Sequence, residues 1–354
     1  MSAGQRVDQV GAMQSALADL LQRLDPQPSS RVQSLQRLSG GASQELWAFE
    51  RVTGSDAVQR LILRRAPPGA RLSGSGGPGL AAEAALIGKA GAAGVPVPDV
   101  IAMLQPEHGL GEGFIMQRLA GETLGRRIAS AYRPALAFQC GQALAGIHGL
   151  ALSGLPDLRS TQPAAEVEHL RNWHAGHGRA KPVFQLALRW LQDRAPADAS
   201  LALVHGDFRN GNLMVDLDED GGRLRGVLDW ELAYLGDPMA DLGWLCANPW
   251  RYGQSQRPVG GFGLRDELFA GYRAAGGQVD AGRVLWWQVL GTLRWGVMCE
   301  GMGLAGLSGA GMEKTAIGRR ASETEIDLLE LIAPRRGAAL SPQVSQASQD
   351  TGDR

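Results

Sequence analysis

The segment from residue 203 to 245 carries the residue types from which a catalytic site could be built. Asp207 and Asn212 are separated by four residues, and Asp229 follows two strand-like runs joined by a turn. In an antiparallel hairpin, the residue that enters the first strand lies beside the residue that leaves the second, so Asn212 and Asp229 are expected to meet. An amide oxygen and a carboxylate that converge suit Mg²⁺. Asp207, just before the hairpin, could then accept a proton from a hydroxyl nucleophile.

Aspartate and asparagine at loop ends are most often turn formers, so the interpretation depends on the three residues occurring together. Their spacing, H-x-D-x-x-x-x-N followed after a hairpin by another aspartate, is that of protein-kinase-like catalytic loops. Residues 205–212 (HGDFRNGN) and 228–231 (LDWE) carry this pattern here. The pattern indicates phosphoryl transfer, in which a carboxylate receives the acceptor's proton and a divalent cation neutralises phosphate charge.

The sequence resembles the aminoglycoside phosphotransferase family of kinase-like enzymes, and in particular the branch similar to the kinase-like domains in front of acyl-CoA dehydrogenase modules. The resemblance covers about residues 32 to 335, and the stretches HGDFRNGNL, GVLDWELAYLGDPMADL and LILRRAPPG carry it. It implies an α+β, protein-kinase-like fold with a small antiparallel-sheet N-terminal lobe and a larger, mainly helical C-terminal lobe. It also implies ATP and Mg²⁺ as cofactors and a hydroxyl-bearing small molecule as the phosphoryl acceptor.

The resemblance implies roles for individual residues of the motif. Asp207 would be the catalytic base, and Asn212 and Asp229 would be the Mg²⁺ ligands. Asp241 in the GDPMADL stretch would be a buried acceptor that supports the backbone of the catalytic loop. His205 would organise that loop rather than carry a proton.

Two side chains near the motif are open to more than one interpretation. Arg209 is a candidate catalytic residue because it could meet the transferring phosphate, but it could equally pair with a carboxylate such as Glu231. Trp230 is expected to pack inside the protein rather than contact the nucleotide.

The nucleotide site of protein kinases contains a lysine, but this chain has few lysines among its 35 basic residues, and none precedes Lys89. Arg64 in the predicted strand LILRR stands where protein kinases carry that lysine. Side chains alternate along a strand, so Arg64 and Arg65 are expected on opposite faces. By motif alignment we assign Arg64 to the cleft, paired with Glu83 of the following helix.

A loop of small residues between the first two predicted strands resembles the nucleotide loop of the family. Small residues let backbone N–H groups approach phosphate oxygens, although this loop departs from the G-x-G-x-x-G pattern of protein kinases. The cofactor-binding residues expected here are Gly40, Gly41, Ala42 and Ser43, together with Gln117 in the strand predicted near 114–119.

Hydrophobic patterning predicts a small sheet lobe followed by a larger helical lobe. A helix over residues 7–24 ends at a proline-containing linker, and five short strands with one helix follow it. A β-patterned island at 203–230 interrupts the helices of the second part. The predicted units are 1–30 as N-terminal helix and linker, 31–119 as nucleotide-binding lobe, 120–336 as catalytic and substrate lobe, and 337–354 as a disordered tail of low apolar content.

Composition argues against several classes of protein. The 35 basic and 36 acidic residues give a formal net charge of -1, which lacks the basic excess that binding to nucleic acid or anionic lipid needs. No apolar run reaches the roughly 18 residues of a membrane span, and charged residues interrupt the N-terminus where a secretory signal would need its apolar centre. Three widely spaced cysteines form no disulfide framework. We therefore expect a cytoplasmic protein that binds neither nucleic acid nor membranes, and its oligomeric state stays open.

The acceptor is expected to be anionic. The segments that would build its side of the cleft, 151–200 and 245–312, contain 12 basic and 9 acidic residues, whereas a site for polycationic aminoglycosides needs an excess of carboxylates. Arginines of the second segment could meet a phosphate or carboxylate. The apolar stripe from Trp286 to Met298 has the spacing of helix core, but it could wall the cleft and hold an alkyl chain. The resemblance to the domains in front of acyl-CoA dehydrogenase modules implies a hydroxyacyl-CoA or a hydroxy acid. An antibiotic kinase for aminoglycosides or macrolides and a nucleotide-binding pseudokinase without turnover are the alternatives.

Three histidines lie close together in the sequence outside the motif. His169, His174 and His177 have spacings of five and three, which do not place all three on one helical face. We expect solvated polar side chains at these positions rather than a metal site.

Overall fold

The computed structural model describes residues 3–24, 31–38, 44–53, 57–67, 77–198, 200–218, 221–307 and 312–333. The expected nucleotide-loop residues Gly40, Gly41, Ala42 and Ser43 lie outside these ranges, as does the tail 337–354. Among the described residues, no helix is long and apolar enough to cross a membrane.

The small lobe is built on a five-stranded antiparallel sheet with the strand order β1-β2-β3-β5-β4. The central strand β3 pairs with β2 on one side and with β5 on the other. The elements of this lobe are α1 (Ala3–Leu24), β1 (Arg31–Arg37), β2 (Glu45–Val52), β3 (Val58–Arg65), α2 (Leu80–Ala92), β4 (Val100–Met103) and β5 (Gly113–Gln117).

Helix α1 covers one face of this sheet. Leu17 packs in one buried cluster with Leu61 and Leu63 of β3. Successive side chains of a strand point to opposite faces, so Arg64 points away from α1 and toward the cleft between the lobes. The alternation expected from the sequence is therefore present.

The large lobe is mainly helical and surrounds one extended apolar core. Its longest helix, α9, packs against α5, α6, α7, α10 and α11, while α4 packs against α8. The elements are α3 (Gly125–Ile128), α4 (Pro134–His148), α5 (Pro163–Gly176), α6 (Pro182–Asp193), β6 (Ala202–Val204), β7 (Leu213–Asp216), β8 (Arg223–Val227), β9 (Tyr234–Gly236), α7 (Met239–Leu245), α8 (Arg265–Ala274), α9 (Ala281–Ala305), α10 (Met312–Gly318) and α11 (Arg320–Ile332).

Two short antiparallel strand pairs hold the catalytic motif. Strand β6 pairs with β9, and β7 pairs with β8. Leu213 lies opposite Val227 at the open end of the β7–β8 pair, and the N–H of Leu228 donates to the carbonyl oxygen of Asn212 at 2.8 Å. The hairpin therefore joins the two ends of the motif as predicted.

Candidate active site

A cavity of about 430 Å³ lies between the two lobes. Arg64, Glu83 and Gln117 line it from the small lobe, and Asn212 and Asp229 line it from the large lobe. The structure thus brings together five residues that the sequence assigned to nucleotide and metal binding, although they come from distant parts of the chain.

The loop that carries Asp207 is anchored by a buried carboxylate. The oxygens of Asp241 accept hydrogen bonds from the backbone N–H of His205 at 2.8 Å and of Gly206 at 2.9 Å. Burial alone would raise the pKa of Asp241, but its hydrogen bond with His148, the attraction of that histidine and the backbone N–H of His205 hold that pKa below its ordinary value. Asp241 therefore supports the loop backbone, as the resemblance implied.

The conformation of this loop depends on Gly206 and His205. Gly206 has a φ of +80°, and a Cβ there would lie 2.4 Å from the carbonyl oxygen of Leu232, so a side chain does not fit. The buried ring of His205 accepts at Nδ1 from the N–H of Asp207 at 3.2 Å and donates from Nε2 to the carbonyl of Leu228 at 3.1 Å. Because burial lowers the pKa of His205, a neutral ring organises the loop.

Three side chains hold the carboxylate of Asp207. The amide nitrogen of Asn212 donates to its Oδ2 at 2.7 Å, and the indole N–H of Trp244 donates to its Oδ1 at 2.8 Å. The Nε of Arg209 also donates to Oδ1, at 3.0 Å. Asp207 is 9% exposed, so its orientation is set almost entirely by these protein donors.

Arg209 contacts a carboxylate and an aromatic ring. Its guanidinium pairs with Asp207 and lies over the ring of Trp250 at 4.4 Å from the centroid. Glu231, the carboxylate suggested as its partner, instead lies 3.5 Å from Nη2 of Arg64. Arg209 therefore pairs with Asp207 rather than with Glu231, and its contact with the transferring phosphate stays a prediction.

The two expected metal ligands differ in how the protein holds them. The amide nitrogen of Asn212 donates to the carbonyl and carboxylate oxygens of Asp207, so its amide oxygen is left for a ligand in the cavity. Asp229 has a φ of +64°, a left-handed conformation that few residues other than glycine adopt, aspartate among the more tolerant of them. The strain of such a conformation concentrates at functional sites because the surrounding structure has to stabilise it.

Arg64 connects the small lobe to the proposed metal ligand. Its Nε lies 3.0 Å from Glu83, as expected, and its Nη2 lies 2.6 Å from Asp229. Burial, opposed by Arg64 and reinforced by Asp229, raises the pKa of Glu83 to about 7. Arg65 points to the other face, where its Nη2 lies 2.9 Å from Glu45. Both faces of β3 therefore carry a buried ion pair, but only the one made by Arg64 faces the cleft.

The sequence analysis missed two residues that hold the catalytic loop. Trp244 lies one helical turn after Asp241 on α7, so both side chains point toward the loop, and this spacing could have identified Trp244. Asn210 is fully buried, and its amide nitrogen donates to the carbonyls of Trp250 and Gly260. Nothing in the local sequence distinguishes Asn210 from an ordinary turn residue.

Two smaller cavities, of about 20 and 90 Å³, lie beside the catalytic loop between α5 and α9. Arg294 and Glu166 line both of them, and Gly206 and Trp244 line the smaller one. Glu166 is paired with Arg159 at 2.8 Å. We call these two spaces the acceptor cavities, because residues of the segments that the sequence assigned to the acceptor, 151–200 and 245–312, line them. The carboxylate of Glu166 is thus already paired with an arginine.

The arginines of the second acceptor segment are mostly committed elsewhere. Arg251 donates to the carbonyl of Cys246, Arg265 to the side chain of Gln288, and Arg283 to Asp237. Arg294 differs from these three, since it lines the acceptor cavities and lies over the ring of Trp244 at 5.4 Å.

The apolar stripe of α9 is core rather than an open surface. Trp286 and Trp287 are 3% and 4% exposed and belong to the main apolar core. Leu290 lines both acceptor cavities. Most of the stripe is therefore core, as its helical spacing indicated, and Leu290 is the part of it that borders both cavities.

The expectation for the three histidines of α5 was correct for one of them. His169 is exposed, but His174 is 1% exposed and the side chain of His177 is 13% exposed. Both of these rings contact Glu300 of α9. The spacing of the histidines along one helix could not predict this contact, because Glu300 belongs to a different helix.

Comparison with known sequences identifies the family. The sequence profile described as the phosphotransferase enzyme family matches residues 34–277. Acyl-CoA dehydrogenase family member 10 from Mus musculus is 27% identical over 200 residues, which cover 54% of this chain and 18% of that protein. Acyl-CoA dehydrogenase family member 11 from Gallus gallus is 30% identical over 167 residues, which cover 42% and 20%. The chain thus spans about a fifth of the length of these relatives.

Comparison with solved structures identifies the fold. A protein from Ralstonia eutropha, crystallised as a candidate aminoglycoside phosphotransferase, has a TM-score of 0.68 at 19% identity, over 90% of this chain and 97% of that one. Macrolide 2'-phosphotransferase MphH from Brachybacterium faecium has a TM-score of 0.56 at 20% identity, over 86% and 97%. These likenesses bear out the two-lobed, kinase-like fold. The family match, which covers most of the chain, shows that this protein belongs to the phosphotransferase enzyme family.

Proposed function

We propose that this enzyme transfers the γ-phosphoryl group of ATP, with Mg²⁺, to a hydroxyl of a small anionic molecule such as a hydroxyacyl-CoA or a hydroxy acid. The observation that carries the proposal is the contact between Asp207 and Asn212 at the edge of a cavity that Arg64 and Asp229 also line. Base, metal ligands and phosphate-binding cation would thereby act on one bound nucleotide.

The residues of the cavity fit a magnesium nucleotide. Asn212 and Asp229 offer an amide oxygen and a carboxylate, and Mg²⁺ prefers such oxygen ligands in company with phosphate oxygens. When bound, the cation would neutralise charge on the transferring phosphate. The Nη2 of Arg64, which now donates to Asp229, is the protein donor placed to reach a phosphate oxygen.

Asp207 would act as a base whose carboxylate is held in a fixed orientation. An ionised carboxylate has about four acceptor sites, and the donors from Asn212, Trp244 and Arg209 use three of them. One remains for the hydroxyl group of the acceptor. In phosphoryl transfer most of the rate enhancement comes from positioning and charge stabilisation, so a rigidly held base is the arrangement expected.

The charges on the acceptor side favour an anionic acceptor. Arg294 has no ion pair among the described residues, while Glu166 is neutralised by Arg159. A polycationic aminoglycoside would meet a guanidinium here rather than a free carboxylate. The relatives named as acyl-CoA dehydrogenase family members also support an acyl-CoA derivative.

The proposal is tested by supplying MgATP to the enzyme together with a metabolite panel and identifying, by mass spectrometry, which molecules gain a phosphate. The value of kcat/KM for a 4-hydroxyacyl-CoA is then compared with that for kanamycin, with Asp207→Asn as the inactive control. We expect a clear preference for the acyl-CoA. A preference for kanamycin would identify an antibiotic kinase, and the absence of any turnover would identify a pseudokinase.

A further inference from the structure

A cluster of two imidazoles and one carboxylate lies outside the active site. His174 and His177 come from the C-terminal end of the α5 region, and Glu300 comes from α9. The Nδ1 atoms of both histidines lie 3.0 Å from the same oxygen, Oε2, of Glu300. One ligand atom from each of the three side chains lies within 4.8 Å of the other two. We call these three residues the α5–α9 cluster.

The hydrogen bonds within this cluster do not satisfy its polar atoms. His174 and Glu300 are 1% and 4% exposed. Within the described part of the chain, Nε2 of His174 and Oε1 of Glu300 are buried without a hydrogen-bond partner. Buried polar atoms normally have a partner, and an unpaired one suggests a bound group that would supply it. Glu300 thus has one oxygen shared by two imidazoles and a second oxygen with none.

The local structure brings the two rings together. Positions 174 and 177 are three residues apart, so they lie on the same side of the helical turn that ends α5. A Cβ at Gly301 would lie 3.1 Å from Nε2 of His177, so the absence of a side chain on α9 lets this ring approach. The cluster therefore depends on a close contact between two helices rather than on a flexible loop.

The donor set selects a class of cation. Two imidazole nitrogens and one carboxylate oxygen are the ligands of an open tetrahedral Zn²⁺ site, whereas Mg²⁺ prefers oxygen ligands alone. A cavity of about 210 Å³ borders Glu300 and gives room for water or a small anion as a fourth ligand. Arg179, Lys181 and Arg319 line this cavity, and their charge would favour an anionic fourth ligand.

We propose that His174, His177 and Glu300 bind Zn²⁺ and thereby tie α5 to α9. The same two helices wall the acceptor cavities, through Glu166 and Arg294. These residues lie about two helical turns from the cluster. A metal at the cluster would hold the two walls of the acceptor cleft at a constant separation. The proposal does not depend on the identity of the acceptor.

The experiment measures metal binding directly. The full-length protein, stripped with EDTA and returned to buffer with excess Mg²⁺ to saturate oxygen-rich sites, is titrated with Zn²⁺ by calorimetry. We expect one equivalent to bind and the melting temperature to rise, because a ligand of the folded state stabilises it. Titration with Co²⁺ should give visible absorption of a tetrahedral nitrogen and oxygen site, without the charge-transfer band that a nearby thiolate such as that of Cys299 would add.

Matched variants separate the cluster from other sites. His177→Gln removes the least buried ligand, and Glu300→Gln keeps the side-chain volume, so both should fold. Each should weaken Zn²⁺ binding by at least about tenfold, and Zn²⁺ should no longer raise the melting temperature. His169→Gln, on the same helix but outside the cluster, should bind like the wild type. Absence of Zn²⁺ binding to the wild-type protein would overturn the proposal, and so would unchanged affinity in both cluster variants.

Discussion

The two sides of the cleft hold their arginines in different ways. On the nucleotide side, Arg64 is surrounded by three carboxylates within 3.5 Å. On the acceptor side, Arg209 and Arg294 lie over tryptophan rings at 4.4 and 5.4 Å. Arg209 makes one ion pair, to Asp207, and Arg294 makes none among the described residues.

This difference indicates what each side is built to receive. A guanidinium among carboxylates has its donors committed, and the excess negative charge around it suits the arrival of a cation together with phosphate. A guanidinium on an aromatic face keeps donors in its plane for a ligand. We infer that the nucleotide side binds a metal–phosphate pair and that the acceptor side meets an anion directly. The following predictions test this contrast, from the largest expected effect to the smallest.

The largest effect is expected when Asp207, the proposed base, is substituted. Asp207→Asn should lower kcat by about a hundredfold or more while nucleotide affinity stays nearly unchanged, because a general base acts in the transition state. Steady-state kinetics and nucleotide titration measure the two quantities. Asp218→Asn, at an exposed position in the β7–β8 turn, is the matched control. Wild-type turnover in Asp207→Asn would remove Asp207 from the mechanism.

Two variants at Asp229, the proposed metal ligand, separate an effect on MgATP binding from an effect on stability. Asp229→Gly should weaken MgATP binding by at least about tenfold, since it removes a ligand. It should lower the melting temperature less than Asp229→Ala does, because both variants lose the ion pair with Arg64 but glycine adopts a φ of +64° without strain. Asp229→Ala should lose binding equally but stay strained, by about 1 kcal/mol. Calorimetry measures the MgATP affinity of both variants, and thermal melting measures their stability. Unchanged MgATP affinity would contradict the assignment of Asp229 as a metal ligand.

The two faces of β3 provide a matched pair of arginines. Arg64→Ala should raise the KM for ATP or lower kcat by about tenfold, because it removes a charge-assisted donor from the nucleotide side. Arg65→Ala also breaks a buried ion pair, with Glu45, so both variants should melt at lower temperature. The kinetic effect should be confined to Arg64. The reverse result would mean that the strand presents its other face to the nucleotide.

A variant of Trp244 tests whether the hydrogen bond from its indole N–H positions Asp207. Trp244→Phe keeps the ring but removes the indole N–H donated to Asp207, a bond to a charged group worth about 1.5 kcal/mol or more. We expect kcat to fall by about tenfold with the KM for ATP unchanged. The indole nitrogen of Trp250 has no hydrogen-bond partner among the described residues, and phenylalanine keeps an aromatic face under Arg209, so Trp250→Phe should lower kcat less than Trp244→Phe does. Equal effects from both variants would point to packing rather than to positioning.

The smallest effect is expected for Glu83, whose buried carboxyl group should make the melting temperature depend on pH. Its pKa is raised from 4.5 to about 7 in the folded protein. A raised pKa contributes stability below the unfolded value that is lost as pH rises through the folded value. The melting temperature of the wild type should therefore fall more between pH 5 and pH 8 than that of Glu83→Gln. Parallel pH profiles for the two proteins would show that Glu83 does not titrate in this range.

Local sequence signals predicted the elements and much of the active site. Strand alternation sent Arg64 and Arg65 to opposite faces, and the hairpin rule brought Asn212 to the residues around Asp229. These predictions succeeded because each depends on backbone geometry over a few residues, which residue type and spacing largely determine.

Counting charges along a segment was less informative. The arginines of the second acceptor segment look equivalent in the sequence, but Arg283 is paired with a buried aspartate, Asp237, while Arg294 lines the acceptor cavities. The free charge of a cleft depends on which charged groups are already neutralised. That depends on partners from other helices.

The sequence by itself determined the two-lobed order of elements, the spacing of the proposed base and metal ligands, and the choice of Arg64 over Arg65 as the arginine that faces the cleft. Only the tertiary structure decided that Arg209 pairs with Asp207, that Trp244 donates to the same carboxylate, and that Glu300 meets two histidines. The reason is physical. Local geometry is set by interactions within a few residues, whereas these contacts depend on how α5, α7 and α9 are rotated and packed, which is set by burial of the whole apolar core.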